Sequence, residues 1–130
     1  MPTVIAEIEM ERDPQAERQL VALAAASEGL AEMVDGELVV DPIVEDLNAF
    51  ADDRAHPGGV KLRERSGDRS LIEEAAEEIA DLRSYLVWKA LEMDRAAGDQ
   101  ERPEDWIRIM TALGHCVSAW AALTRPPSLR

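Results

Sequence analysis

Five carboxylates, Glu73, Glu74, Glu77, Glu78 and Asp81, crowd one short segment of the sequence LIEEAAEEIADLRSYLVW (71–88). On a helix, acids at i,i+3 and i,i+4 repel, each pair costing a few tenths of a kcal/mol. No Lys or Arg stands at the compensating spacing until Arg83. A divalent cation between the acids would reverse the sign of that interaction. Hard carboxylate oxygens select Mg²⁺ or Mn²⁺ over metals that prefer sulfur and imidazole. Tyr85 and Trp88 follow along the same stripe, where a solvated face would continue with Lys and Glu. An acidic stripe that turns aromatic has the composition of a cleft wall. The plainer alternative is the solvated side of an amphipathic helix.

A second group of residues lies just upstream. Between positions 54 and 70 the chain holds Arg54, Lys61, Arg63, Arg65 and Arg69 against only Glu64 and Asp68. This glycine-containing basic stretch leads into the N-terminus of the acidic helix, where free N–H groups and the helix dipole also favour anions. An anion clamp beside a divalent cation describes a site for the phosphates of a nucleotide. The alternative is a loop whose arginines pair with the protein's own acids.

Other chemistries have less to draw on. His56 and His115 lie far apart and no Cys/His set has zinc spacing. Neither GxGxxG nor GxxxxGK occurs, and no Ser/His/Asp order suggests a triad. His115 is read as a surface or interface residue and Cys116 as a small core residue. Trp106 and Trp120 sit at core spacing.

The elements that must position these residues are legible from caps and periodicity. Asp13-Pro14 opens a first helix, predicted over 13–34, with Leu20, Leu23, Leu30 and Val34 as its apolar stripe. Residues 3–10, TVIAEIEM, fit either a strand or the lead-in to a helix. DGELVVDP (35–42) reads as a turn and a short strand. Asp41-Pro42 repeats the cap signal for a second helix over 41–55. Ser70-x-x-Glu73 is a capping box for the acidic helix, which runs to about Ala97 with Gly98 as its stop. On it, Ile72, Ala75, Ile79, Leu82, Leu86 and Met93 share the sector predicted to face the core, with Glu74, Glu77, Glu78 and Asp81 roughly opposite. A last helix starts near Pro103, with Trp106, Ile109, Met110, Leu113, Val117 and Trp120 on one face. Its small residues Ala112, Ala119 and Ala122 suit close approach by another helix, and so self-association.

The expectation is one all-α domain over 1–130, four-helix bundle-like, with room for a small strand pair near the N-terminus. Composition agrees, since 46% of the chain is apolar, rich in the helix formers Ala and Leu. A net charge of −13 argues against general nucleic-acid or anionic-membrane binding. The single Cys116 excludes an internal disulfide and fits a reducing compartment. No apolar run approaches the ~20 residues of a membrane span and no leader is visible, so the expected location is cytoplasmic.

EEIADLRSYL (77–86) resembles the E-E-[I/L]-x-D-x-x-x-Y-L helix of the MazG-like, all-α nucleoside triphosphate pyrophosphohydrolases. The preceding GGVKLRERSGDRSLIEEAAEE resembles the lead-in of short MazG-like proteins of phage and bacterial origin, so the likeness spans residues 56–95. The resemblance implies a helical homodimer or homotetramer. It also implies Mg²⁺ bound through E-x-x-E on one helix and E-x-x-D on another, and cleavage of a (d)NTP to (d)NMP and pyrophosphate. Glu78-x-x-Asp81 matches the second pair. Glu74-x-x-Glu77 has the spacing of the first pair but lies on the same helix. The earlier helix offers Glu28 with Glu32, and Glu32 with Asp35, neither in the family's pattern.

In that chemistry Glu74, Glu78 and Asp81 hold Mg²⁺, and Glu77 orients or deprotonates the attacking water. Lys61, Arg63, Arg65 and Arg69 stabilise phosphate charge, and Tyr85 packs on the base. The departure in the first pair leaves two routes: a metal site assembled differently, for instance across a dimer interface, or a relative without hydrolysis. The second route is a non-catalytic helical protein that sequesters a nucleotide or docks on a partner protein.

Overall fold

An aspartate followed by proline starts each of the first two helices, because the side chain caps an open N–H and proline has none to leave unpaired. The computed structural model describes residues 13–55 and 70–124. Helix α1 spans Pro14–Ala26, and the Asp13 carboxylate accepts the Ala16 N–H at 3.1 Å. Helix α2 spans Pro42–Ala55, with Asp41 accepting the Ile43 N–H at 3.0 Å. Helix α3 spans Leu71–Ala97 and carries the expected capping box, in which Ser70 and Glu73 each accept the other's backbone N–H. Helix α4 spans Glu104–Thr124.

The first helix is shorter than the sequence predicts. At Gly29 the backbone turns left-handed (φ +78°). The Leu30 N–H reaches back to the Ala25 carbonyl and the Gly29 N–H to that of Ala26, as in a Schellman ending. The predicted helical residues 31–34 instead form strand β1, Ala31–Val34, antiparallel to the expected strand β2, Glu37–Val40. Asp35 and Gly36 both take positive φ at the tip, the two-residue hairpin geometry that an Asp-Gly pair favours. The described residues are thus mostly helical with one small two-stranded sheet.

Between α3 and α4 the chain turns at Gly98 (φ +56°). Arg102 holds this turn, bonding Asp94 at 2.8 Å and the carbonyls of Gly98 and Gln100 at 3.0 and 2.7 Å. Helix α4 therefore returns along α3, and the Cys116 thiol donates to the Ile79 carbonyl at 3.2 Å. The core collects Val21, Val44, Leu47, Val87, Leu113 and Val117 among many alanines. Trp120 closes one end, its ring tilted by 32° against Phe50 (centroids 5.4 Å apart) and donating to the Ile43 carbonyl at 3.1 Å. No helix among the described residues is long and apolar enough to cross a membrane.

Two predicted core faces are displaced, although Leu20 and Leu30 of the first and Ile79 and Leu86 of the second still pack against the core. On α1 the buried residues are Glu17, Val21, Ala22, Ala24 and Ala25, while Leu23 is exposed. On α3 they are Ala76, Glu77, Ala80, Arg83, Ser84, Val87, Ala90 and Leu91. Of the predicted sector, Ile72 is 58% exposed and Leu82 48% exposed. At 100° per residue the true face lies roughly a third of a turn away. Small side chains let neighbouring helices approach closely, and the larger aliphatic residues are left on the flank. The α4 face fits better. Met110, Leu113, Val117 and Trp120 are buried, Trp106 and Ile109 lie against the core, Cys116 is buried and His115 is exposed.

Close packing also explains a helical glycine. A Cβ on Gly114 would stand 3.1 Å from the Ala24 carbonyl oxygen and 3.2 Å from Ser27 Oγ. Gly114→Val is expected to lower stability by about 1–3 kcal/mol by prising α1 from α4. In urea unfolding the midpoint should fall with m unchanged, whereas helix propensity alone would raise it.

Candidate functional site

The acids of α3 do not share one environment. Glu77 is buried, Asp81 is half-buried, and Glu74 and Glu78 are exposed. Their repulsion is relieved by an arginine from another helix. Arg54, near the end of α2, bonds both oxygens of Asp81 (Nε–Oδ1 2.7 Å, Nη2–Oδ2 2.8 Å). Its Nη1 lies 3.8 Å from Glu77 Oε1. The hydrogen bond to Asp81 raises the Arg54 pKa above its ordinary value; burial opposes this, and the charges of Asp81 and Glu78 add to it. A fork-on-carboxylate pair of this kind is among the stronger polar contacts a protein makes.

The cation against Glu77 and Asp81 is therefore a guanidinium supplied by the fold. Both Asp81 oxygens face Arg54, and Glu74 and Glu78 stand out in solvent. Among the described residues no three His, Cys, Asp or Glu side chains are grouped to hold a metal ion. Of the expected Mg²⁺ donors Glu74, Glu78 and Asp81, it is Asp81 that Arg54 holds in this arrangement. Lys61, Arg63, Arg65 and Arg69, the predicted phosphate clamp, lie outside the described residues. Tyr85 is exposed and meets Trp88 edge-on (centroids 6.1 Å, 87°).

A polar cluster that the sequence did not announce lies beneath. Arg83 is fully buried, with Nη1 3.2 Å from Glu17 Oε1 and Nη2 2.8 Å from Asn48 Oδ1. Glu17, also fully buried, accepts the Trp88 indole N–H at 3.1 Å through Oε2. Side chains from α1, α2 and α3 thus meet at one carboxylate–guanidinium pair. Closer to the surface, Arg18 reaches Asp52 at 2.7 Å and binds α1 to α2 a second time. The available signal was spacing. Arg83 follows Ala80 by three and precedes Val87 by four, and Glu17 precedes Val21 by four, so both lie in line with small apolar residues. An Ala-rich helix face carrying one charge is the pattern of a buried pair.

The surface between α1 and α4 holds an open apolar groove of about 190 Å³, lined by Leu23, Ala24, Ser27, Trp106, Ile107, Met110 and Thr111. The Trp106 indole nitrogen is buried there without a hydrogen-bond partner among the described residues. An unmet buried donor is costly, on the order of 1–3 kcal/mol, until an acceptor arrives. One turn beyond Thr111 on α4, His115 lies 3.6 Å from Glu28. No protein-family model matches the chain, and no curated protein or solved structure matches it either.

Removing one partner of the buried pair should cost far more than removing both. Arg83→Ala is expected to lose about 3–5 kcal/mol, because it strands the Glu17 charge. Glu17→Leu with Arg83→Met should recover most of that, as a urea-unfolding cycle will read.

Cys116 gives a pH test. Burial pushes its thiol up to about 11 from an ordinary 9.0, against a smaller lowering by the Arg83 charge. The folded state keeps this proton where the unfolded state releases it. Its contribution to stability is thus whole below about pH 9 and declines between pH 9 and about 11. Cys116→Ala should flatten the alkaline limb of a stability–pH curve over that window.

Proposed function

We propose that the protein is a non-catalytic helical binding protein that docks on a partner protein. The observation that carries this reading is Arg54. Asp81, one of the three carboxylates expected to gather a metal, is already held by an internal guanidinium, with both its oxygens bonded at 2.7 and 2.8 Å. Among the described residues the surface also offers an apolar groove. The α1–α4 groove suits a partner that inserts an aliphatic side chain and offers a backbone carbonyl to the Trp106 N–H. The net charge of −13 favours a partner with a basic rim.

A second reading keeps the hydrolase. Glu74, Glu78 and Asp81 fall on successive turns along one side of α3, and two of the three are exposed. That placement, with the likeness of residues 77–86 to the MazG-like helix, favours a Mg²⁺-dependent pyrophosphohydrolase acting on a (d)NTP. In this reading Glu77 serves the attacking water, Lys61, Arg63, Arg65 and Arg69 the phosphates and Tyr85 the base. It requires Arg54 to release Asp81.

Incubation with a panel of NTPs and dNTPs in MgCl₂, followed by pyrophosphate detection, separates the two. Docking predicts no product, and no rise in the wild-type melting temperature with MgCl₂. Pyrophosphate release abolished by EDTA and by Asp81→Asn would overturn docking in favour of hydrolysis. Arg54→Ala should lower stability by about 1–3 kcal/mol through the loss of a charged hydrogen-bonded pair. MgCl₂ should recover little of that loss.

A further inference from the structure

Residues 19–53 hold nine acids and no Lys or Arg, so most of the net charge of −13 is gathered in one stretch. The hairpin β1–β2 stands in the middle of it. Its acids Glu32, Asp35 and Glu37 have no ion pair among the described residues. Met33, 64% exposed, lies beside them with Val34 and Val39, which are also exposed. Two strands make a sheet with two outer edges. The Asp41 N–H donates to the Leu30 carbonyl at 2.9 Å, and along an antiparallel ladder bonded and non-bonded pairs alternate. Glu32 with Val39 and Val34 with Glu37 are therefore the bonded pairs of the register. The N–H and C=O groups of Ala31 and Met33 point away from β2 and meet no partner among the described residues. Folded proteins blunt such an edge with Lys, Pro or a bulge, and β1 has none of the three. Three of its four residues are exposed, against two of four in β2, so β1 is the open edge.

From this we infer that the outer edge of β1 takes an extended, basic segment of a partner protein as a third strand. Backbone pairing at Ala31 and Met33 supplies the hold, as in other cases where a peptide is added to a sheet edge. Side chains supply the choice. Met33 and Val34, on opposite faces of the strand, call for aliphatic neighbours, and Glu32 calls for Lys or Arg beside it. Asp35 and Glu37 extend the attraction to bases that flank the pairing residues. The same acids repel a second copy of this hairpin, so charge selects a partner of the opposite sign. The edge shares no residue with the lining of the α1–α4 groove, so its failure would leave the docking reading standing.

Fluorescence anisotropy of the labelled peptide KKVVKVKK, titrated with the full chain, tests this. The Kd is expected on the order of 10–100 μM, and the acidic analogue EEVVEVEE should not bind at up to about 1 mM. N-methylation of the four central amides leaves the peptide's charge unchanged but removes its pairing donors, and should weaken binding at least about tenfold. Met33→Pro removes an outward N–H that no hairpin bond uses, so circular dichroism should match the wild type. Its affinity for the peptide should fall at least about tenfold. Glu32→Lys with Glu37→Lys should weaken binding by a similar factor. No binding of KKVVKVKK at about 1 mM would overturn the inference. Equal binding of the N-methylated peptide would do the same, since charge alone would then hold it. So would an affinity that survives Met33→Pro in a folded protein.

Discussion

The Glu17–Arg83 pair sets the orientation of three helices. Two charges with no exposed surface tolerate only a geometry in which each faces the other. Arg83 also donates to Asn48, and Glu17 accepts from Trp88, so the rotations of α1, α2 and α3 are fixed at one point. The face of α3 that turns inward is the one bearing Arg83, with small residues on either side of it. Net stability gained from such a pair is small. Its effect is on which packing is adopted.

This explains where the sequence was legible and where it was not. Local chemistry read well: Asp13-Pro14, Asp41-Pro42, the Ser70–Glu73 box and Gly98 all mark ends that the structure keeps. The short strand 37–40 was visible, but its partner was not, because EMV looks like a continuation of α1 until Gly29 is seen to end it. On α1 and α3 the bulk of a side chain does not mark the inward face. In this chain the alanines go inside and several leucines and isoleucines stay at the flank. Periodicity reports that a helix has an apolar side. It does not report which of two apolar sides its neighbours will choose.

The acidic run meets a cation supplied by its own fold. Repulsion among Glu77, Asp81 and their neighbours does demand a positive partner, and one is present. It comes from Arg54 on α2, 27 positions before Asp81 in the chain. Pairing over that distance leaves no mark in a helical wheel. The basic character of the stretch beginning at residue 54 was the one hint available, and its first arginine is the residue that reaches the acids.

The three tryptophans end up in three different electrical settings. Among the described residues, one indole N–H points at a carboxylate, that of Trp88, one at a peptide carbonyl, that of Trp120, and that of Trp106 at neither. They also stand at separate stations: the ionic centre, the aromatic end and the open groove. Emission colour and quenching by iodide should therefore differ from one ring to the next. The molecule carries a built-in set of optical gauges, each recording the opening of a single region.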